Sequence, residues 1–202
     1  MRDHQVMSAE APVFFFAAMS PYSWMSAERI EQVLPDARWT PVTAAFIFKA
    51  AGRVPWGLTD KRERGIADCN ERACRQGLGE ISWPEPWPTS DIPVARAMTY
   101  ADSIGRLRPY ALSVMRLAFL EGANLEVRSS LLQAARRCGI DERELASGIE
   151  DPAVKELLRE RTDAASSLGV FGVPTVISAG ELFWGDDRLD DAARADAEPP
   201  DS

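Results

Sequence analysis

The side chains that most often perform covalent or metal chemistry are scarce in this chain of 202 residues. Its three cysteines are Cys69, Cys74 and Cys138, no two of which form a C-x-x-C pair, and its one histidine is His4. Because His4 lies in a segment that we expect to be mobile, a Ser-His-Asp or Cys-His catalytic arrangement lacks its base, and a Cys/His zinc site lacks ligands. We interpret the cysteines as buried structural thiols and predict that the chain holds no metal.

Serine stands at both ends of the segment 20–23, SPYS, which follows the apolar run VFFFAA at 13–18. A serine before a proline is typical of a helix N-terminus, with Ser20 as the cap and Pro21 in the first turn. A hydroxyl cannot form a disulfide, so dithiol exchange is excluded here. Ser20 can instead stabilise an anion, including a thiolate that a ligand supplies, because free N–H groups lie beside it. A simple capping serine is the alternative interpretation.

A second motif, GVFGVPT at 169–175, places Val173 and Pro174 at the start of another apolar run. The Val173–Pro174 bond is either cis or a trans linkage at the first residue of a strand. The serine motif at the other end of the same fold favours the cis form. A cis proline would leave the N–H and C=O of Val173 free to pair with an added peptide strand, and glutathione is such a peptide.

Composition and charge limit the partners of this chain. The net charge is −8, from 23 basic and 31 acidic residues, which argues against nucleic acid as a partner. A local basic cluster can still bind a small anion. No apolar run approaches the roughly 20 residues of a membrane-spanning helix. Because no secretory signal is visible in the first eleven residues, we predict a cytoplasmic protein that does not bind membranes.

The elements that must position the two motifs follow from the hydrophobic periodicity. Residues 13–18 and 38–45 are predicted strands joined by a helix, and 173–178 and 181–184 are predicted strands of a hairpin with Ala179-Gly180 at its turn. The segment 58–165 reads as helices, broken by a stiff WPEPWP loop at 83–88. Asp186 or Asp187 is predicted to cap a final helix.

This order predicts an α/β protein, a thioredoxin-like domain with a large α-helical insertion. We assign residues 12–57 and 166–195 to a discontinuous thioredoxin-like domain and residues 58–165 to the insertion. The two ends, 1–11 and 196–202, are predicted to be flexible because they are polar and lie outside the predicted elements.

The chain resembles the 2-hydroxychromene-2-carboxylate isomerase family, which is similar to kappa-class glutathione transferases and to DsbA-like oxidoreductases. The resemblance covers most of residues 12–192. It rests on SPYS at 20–23, FKA at 48–50 with Gly52 after it, GVFGVPT at 169–175 and LFWGDDRL at 182–189. It implies a DsbA/kappa-class type of fold, a glutathione site between its two parts, and a homodimer.

Carried over residue by residue, the resemblance implies that Ser20 faces the glutathione sulfur and that Val173, beside Pro174, pairs with the cysteinyl backbone. Asp186 and Asp187 fall where the family's last motif holds the γ-glutamyl ammonium group, and Asp187 is the closer match. Lys49 matches the family's lysine near the second strand.

The sequence departs from the family pattern in two places. The segment 53–56, RVPW, stands where the family has Asn-x-Pro-Pro, so Arg53 takes the place of the asparagine. There it can hold a carboxylate of glutathione or of the substrate. Ala17 and Ala18 stand where the family's first strand often carries an aspartate. Both departures affect the expected isomerase activity more than the expected binding of glutathione.

The expected function is therefore that of a glutathione-dependent isomerase, in which a thiolate stabilised by Ser20 adds reversibly to a small aromatic substrate. A kappa-like glutathione transferase is one alternative, and a DsbA-like family protein that only binds is another. Trp83 and Trp87 are expected either to wall the aromatic site or to form a rigid packing loop.

Overall fold

The computed structural model describes residues 11–197 and contains a four-stranded mixed sheet with helices on both faces. The strands are β1 Val13–Phe16, β2 Arg38–Pro41, β3 Thr175–Ser178 and β4 Glu181–Trp184, and their order in the sheet is β2-β1-β3-β4. Strand β1 is parallel to β2 and antiparallel to β3, so that Phe14 lies opposite both Trp39 and Val176. Strand β4 is antiparallel to β3. The predicted α/β fold is confirmed.

The helices are α1 Pro21–Val33, α2 Ala44–Ala50, α3 Arg62–Arg75, α4 Ile92–Ser103, α5 Leu107–Glu121, α6 Arg128–Arg137, α7 Glu142–Gly148, α8 Pro152–Ser167 and α9 Leu189–Ala197. Short 3-10 turns stand at Trp56–Leu58 and Asp186–Arg188. Helices α3 to α8 separate the two halves of the sheet in the sequence, as the predicted insertion requires. The predicted boundary at 165/166 falls inside α8, and the division into domains stays a prediction. Of the predicted flexible ends, residues 196 and 197 belong to α9, whereas 1–10, with His4, and 198–202 lie outside the described residues.

Strand β1 is buried on both faces, which explains its wholly apolar sequence. The rings of Phe14 and Phe16 stack at 5.0 Å on one face and contact the edge of Trp39. This face continues into the main core, which includes Tyr110 of α5. Phe15 points to a smaller apolar cluster on the other face. The sheet and the inserted helices therefore share one core.

Two local predictions about the start and end of elements are confirmed. Ser20 caps α1, with its Oγ accepting the N–H of Ser23 at 3.1 Å and Pro21 in the first turn. The β3–β4 hairpin turns at Ala179 and Gly180, which both have positive φ, as a two-residue hairpin turn requires. Both features arise from residues close together in the sequence.

The predicted strand 38–45 is wrong beyond Pro41, because α2 begins at Ala44. The side chain of Thr43 makes no capping hydrogen bond at this helix. The cap comes instead from Asp91, whose Oδ2 accepts the N–H of Ala44 at 2.6 Å from 47 positions away. Local patterns do not reveal such a partner, so the apolar run read as a continuing strand.

Within residues 11–197, no helix combines the length and apolarity needed to cross a membrane.

Candidate functional site

The two sequence motifs meet where β1 ends and β3 begins. The Ser20 hydroxyl donates to the carbonyl oxygen of Val173 over 3.5 Å, a long contact, while it accepts the N–H of Ser23. The Val173–Pro174 bond is cis, as the motifs favoured. Ser20 is therefore the helix cap, and its hydroxyl lies beside the Val173–Pro174 loop; its stabilisation of an anion stays a prediction.

Backbone donors next to this contact are free to bind a ligand. Pairing of β1 with β3 starts only at Thr175, and within residues 11–197 the N–H groups of Val173 and Tyr22 have no hydrogen-bond acceptor. The Tyr22 N–H belongs to the first turn of α1, where the helix dipole favours negative charge. A thiolate placed beside Ser20 would meet the hydroxyl, a free N–H and the positive end of a 13-residue helix.

A cavity of about 1060 Å³ opens over this point. Small-molecule sites usually measure about 300–1,000 Å³, so this one has room for more than one small ligand. Five segments line it: the turn at Ser20, the Val173–Pro174 loop, the segment 53–61, the loop 87–91 and the segment 184–188. The segments at one end of the sheet, after β1 and β4 and before β3, therefore supply part of the lining, and the connections to the helical insertion supply the rest.

Indole rings form one wall of the cavity. Trp56 and Trp87 line it with ring centroids 5.0 Å apart, and the Nε1 of Trp87 donates to the carbonyl oxygen of Met19 at 3.2 Å. Trp83 does not line the cavity; it packs behind Trp87 and donates to the Oδ1 of Asn70 at 3.0 Å. Of the two tryptophans in the WPEPWP loop at 83–88, Trp87 therefore lines the cavity, whereas Trp83 packs inside the protein.

The packing of this wall depends on two glycines. A Cβ added to Gly65 would lie 2.2 Å from the ring of Trp56, and one added to Gly57 would lie 2.7 Å from that of Trp87. The glycines therefore let both indoles lie directly on the backbone. Trp56, which in the sequence stands out only as part of a departure from a family pattern, belongs to the wall for this reason.

Asp186 and Asp187 both line the cavity but differ in burial and in hydrogen bonding. The carboxylate of Asp186 is 3% exposed and accepts from Arg72 at 2.9 Å and from Gln76 at 3.1 Å. Burial raises the pKa of Asp186, although the charge of Arg72 opposes this shift. The Asp187 side chain is 63% exposed, 3.7 Å from Arg72. Both lie in the 3-10 turn Asp186–Arg188 before α9, with Arg188 directly before the helix, which corrects the capping prediction. Asp187 is the more exposed of the two.

Of the two basic residues predicted for the site, Arg53 lines the cavity and Lys49 does not. The Arg53 guanidinium lines the cavity and lies 4.6 Å from the ring of Trp184 and 5.3 Å from that of Phe171. Lys49 is exposed on α2 and does not line the cavity, whereas its neighbour Phe48 does. Successive helical side chains point about 100° apart, so only one of the two can face the site. The structure does not bring Lys49 to the other predicted residues.

The cysteine and tyrosine side chains nearest to Ser20 are poor nucleophiles. Cys69 is fully buried, and burial raises the pKa of its thiol to about 12. Burial also raises the pKa of Tyr22, whose hydroxyl donates to Asp68 at 2.8 Å. No cluster of potential metal ligands occurs within residues 11–197. Neither Cys69 nor Tyr22 can therefore supply an ionised nucleophile near neutral pH. The prediction of buried thiols holds for Cys69 and is wrong for Cys74, which is exposed, and for Cys138, which is half-buried.

Asp91 is a site residue that the sequence did not point to. It lines the cavity, is 5% exposed and binds the N–H of Ala44. Burial raises its pKa to about 6, although the backbone N–H groups that it accepts favour the carboxylate. The only signal in the sequence was an aspartate directly before the apolar stripe of α4, which reads as an ordinary helix cap.

Comparison with known proteins gives one family and several relatives. Residues 13–195 match the family model described as a DSBA-like thioredoxin domain. The chain is 25% identical over 183 residues to the 2-hydroxychromene-2-carboxylate isomerase of Pseudomonas sp. (strain C18), covering 87% of this chain and 85% of the relative. It is 24% identical over 198 residues to the glutathione S-transferase kappa 1 of Homo sapiens, covering 87% and 86%. The solved structure of a 2-hydroxychromene-2-carboxylate isomerase is similar with a TM-score of 0.79 at 24% identity, covering 88% of this chain and 90% of that one.

Proposed function

Because the chain belongs to the DSBA-like thioredoxin domain family, we propose that it is a glutathione-dependent enzyme, an isomerase that acts on a small aromatic compound with a conjugated double bond. The names of the relatives, an isomerase and a kappa-class glutathione transferase, support both the class of enzyme and the thiol. The presence of serine at both ends of the 20–23 motif supports an isomerase over a dithiol oxidoreductase.

The observation that carries this proposal is the 3.5 Å approach of the Ser20 hydroxyl to the Val173 carbonyl inside a large cavity. A cysteine-containing peptide that pairs with the backbone of Val173 as an added strand would have its side chain next to Ser20. The Ser20 O–H can turn from a long carbonyl contact to a thiolate, because its oxygen already accepts the N–H of Ser23.

The residues present fit glutathione along its length. The free N–H of Val173 can pair with the cysteinyl backbone, and the exposed carboxylate of Asp187 can hold the γ-glutamyl ammonium group. Arg53 and Lys61 line the cavity and form no ion pair within residues 11–197, so either can hold the glycyl carboxylate. When bound, glutathione supplies the thiol that the cavity wall lacks.

The energetics of thiolate stabilisation agree with this role for Ser20. A free thiol has a pKa near 8.5 and is only a few per cent ionised at neutral pH. Lowering that pKa by two units requires about 2.7 kcal/mol of preferential stabilisation of the thiolate. A hydrogen bond to a charged group contributes about 1.5–3 kcal/mol, and a helix N-terminus adds about 0.3–1 kcal/mol. Ser20 and α1 together are sufficient in magnitude.

A kappa-like glutathione transferase is the second candidate, and Arg53 favours it. This side chain stands where the isomerase family has asparagine, and its contact with Trp184 changes the shape and charge of the cavity mouth. The change affects the mouth of the cavity, while the proposed thiol site at Ser20 is untouched. A transferase would keep the same thiolate and join it permanently to its substrate.

Glutathione binding and the pKa of the bound thiol test the proposal. Glutathione at about 100 times its Kd should raise the free energy of unfolding by about 2.7 kcal/mol, or Tm by about 5–10 °C. In an ultraviolet titration of bound glutathione, Ser20→Ala should raise the thiol pKa by about 1–2 units. Ser20→Asp, which can still cap α1 but repels an anion, should raise it too, whereas Ser90→Ala on the cavity wall should not.

An unmoved Tm at millimolar glutathione would reject the glutathione site. An unchanged thiol pKa in Ser20→Ala, with glutathione still bound, would reject the role of Ser20. The isomerase and the transferase are then separated by their products, a geometric isomer with glutathione returned or a stable thioether.

A further inference from the structure

Asp91 places a carboxyl group in the same cavity wall as the indole rings. It is 5% exposed, and its Oδ2 accepts the N–H of Ala44 at 2.6 Å. It ends the loop that begins at Trp87, and Trp87 in turn is hydrogen-bonded to the carbonyl of Met19, immediately before Ser20. Asp91 therefore borders the same cavity as the indole rings of Trp56 and Trp87 and the proposed thiol site at Ser20.

Among residues 11–197, no cationic side chain compensates the charge of this carboxylate. The cationic side chains that line the cavity are Arg53, Lys61, Arg72 and Arg188, and within residues 11–197 none forms an ion pair with Asp91. The other acidic groups in the lining are Asp60, Asp186 and Asp187. On its far side Asp91 meets the backbone N–H groups of α2, which has Lys49 as its charged side chain. Burial raises the pKa of Asp91 to about 6, so at pH 7 about one molecule in ten carries the proton.

Capping α2 does not by itself require an ionisable group. A serine or an asparagine can accept the same N–H bond, and a neutral side chain avoids the free-energy penalty of a buried, uncompensated charge. A buried acid in a cavity wall, with both protonation states accessible near neutral pH, is typical of a group that transfers protons.

The geometry points to Asp91 as the proton donor to the carbonyl oxygen of the second substrate. This inference rests on the proposed function, since it assumes a thiolate that adds to an α,β-unsaturated carbonyl compound. It places the aromatic ring of such a compound against Trp56 and Trp87 and its carbonyl oxygen toward Asp91.

The proton and the electrons balance as follows. As the sulfur–carbon bond forms, the carbon–carbon double bond opens, and its electron pair moves through the conjugated system to the carbonyl oxygen. That oxygen takes the Asp91 proton, and the resulting carboxylate keeps the N–H bond of Ala44. In the reverse direction the enol proton returns to Asp91, the sulfur–carbon bond breaks and the double bond forms again after rotation about the single bond.

Two glutathione reactions separate a proton donor from a structural residue. Addition of glutathione to benzylideneacetone needs a proton at the carbonyl oxygen, whereas its reaction with chlorodinitrobenzene expels chloride and needs none. Asp91→Asn keeps an oxygen that can accept the Ala44 N–H. It should lower kcat for benzylideneacetone by about 10²-fold or more and change the chlorodinitrobenzene rate less than twofold. Asp60→Asn, on the same cavity lining, is the matched control for both reactions.

A binding measurement gives a second readout that does not depend on turnover. Benzylacetone is a saturated, unreactive ketone, and S-methylglutathione fills the peptide site with its thiol blocked. If Asp91 must be protonated to donate to the ketone, benzylacetone binding at pH 7 should take up nearly one proton. Calorimetry in buffers of different ionisation enthalpy measures this uptake, which should vanish in Asp91→Asn and persist in Asp60→Asn.

Equal loss of both reactions in a folded Asp91→Asn protein would overturn the inference and assign Asp91 to structure alone. Proton uptake that persists in Asp91→Asn would also overturn it. Either result leaves the proposed function intact as long as S-methylglutathione binds, whereas failure of S-methylglutathione to bind would count against the glutathione site itself.

Discussion

Replacing Asp91 by asparagine should stabilise the protein at neutral pH, because the native carboxylate is buried without a counter-ion. Its pKa is about 6 in the folded chain and 3.8 for an ordinary aspartate. The folded state therefore binds more protons than the unfolded state between these values, and the stability contributed by this group is lost as the pH rises from about 4 to above 6. At about 1.4 kcal/mol per pKa unit, the loss is about 3 kcal/mol.

Asparagine at this position stays neutral, and its side-chain oxygen can accept the N–H of Ala44. We expect Asp91→Asn to raise the free energy of unfolding by up to about 3 kcal/mol at pH 7.5, or Tm by roughly 6–12 °C. The difference from wild type should shrink to near zero around pH 4, where the native carboxyl is also neutral. Urea unfolding of both proteins from pH 4 to 8 measures this dependence, and the exposed Asp60→Asn serves as the control.

A variant that is less stable than wild type across this whole pH range would refute the reasoning. That result would mean that the charge-assisted bond to the N-terminus of α2 outweighs the burial of the carboxylate. An equal, pH-independent gain would also refute it, because the effect would then come from packing instead of ionisation.

Three further changes test other parts of the site. Replacing a glycine by alanine in an exposed helix usually stabilises the protein by about 1 kcal/mol. Gly65→Ala should instead lower the free energy of unfolding by about 1–3 kcal/mol, measured in urea, because its Cβ would lie 2.2 Å from the ring of Trp56. Cys69→Ser should leave the affinity for glutathione within about twofold by calorimetry, since a thiol with a pKa of about 12 is not ionised at neutral pH. Asp187→Asn should weaken glutathione binding about tenfold, the loss of one exposed charge contact of about 1.4 kcal/mol, with Tm unchanged.

The sequence alone determined the parts of this protein that depend on near neighbours. The wholly apolar β1 indicated a strand buried on both faces, Ser20-Pro21 indicated the start of α1, and Ala179-Gly180 indicated the hairpin turn. Serine at both ends of the segment 20–23 also sufficed to exclude dithiol exchange at that motif. These conclusions hold because capping, turn geometry and strand burial act over a few consecutive residues.

The tertiary structure decided which residues share the cavity. Lys49 and Phe48 are adjacent in the sequence, but only Phe48 faces the cavity. Asp186 and Asp187 read alike as helix caps, yet Arg72, 114 positions away, binds Asp186 and leaves the next carboxylate open.

Asp91 gives the clearest case of a property that local sequence does not contain. It looked like the cap of its own helix, whereas it caps α2 from 47 positions away and borders the cavity. Periodicity and capping rules describe interactions within a few residues. The burial of a charge and the partner of a carboxylate depend on which distant elements the shared core brings together, and only the folded chain determines these.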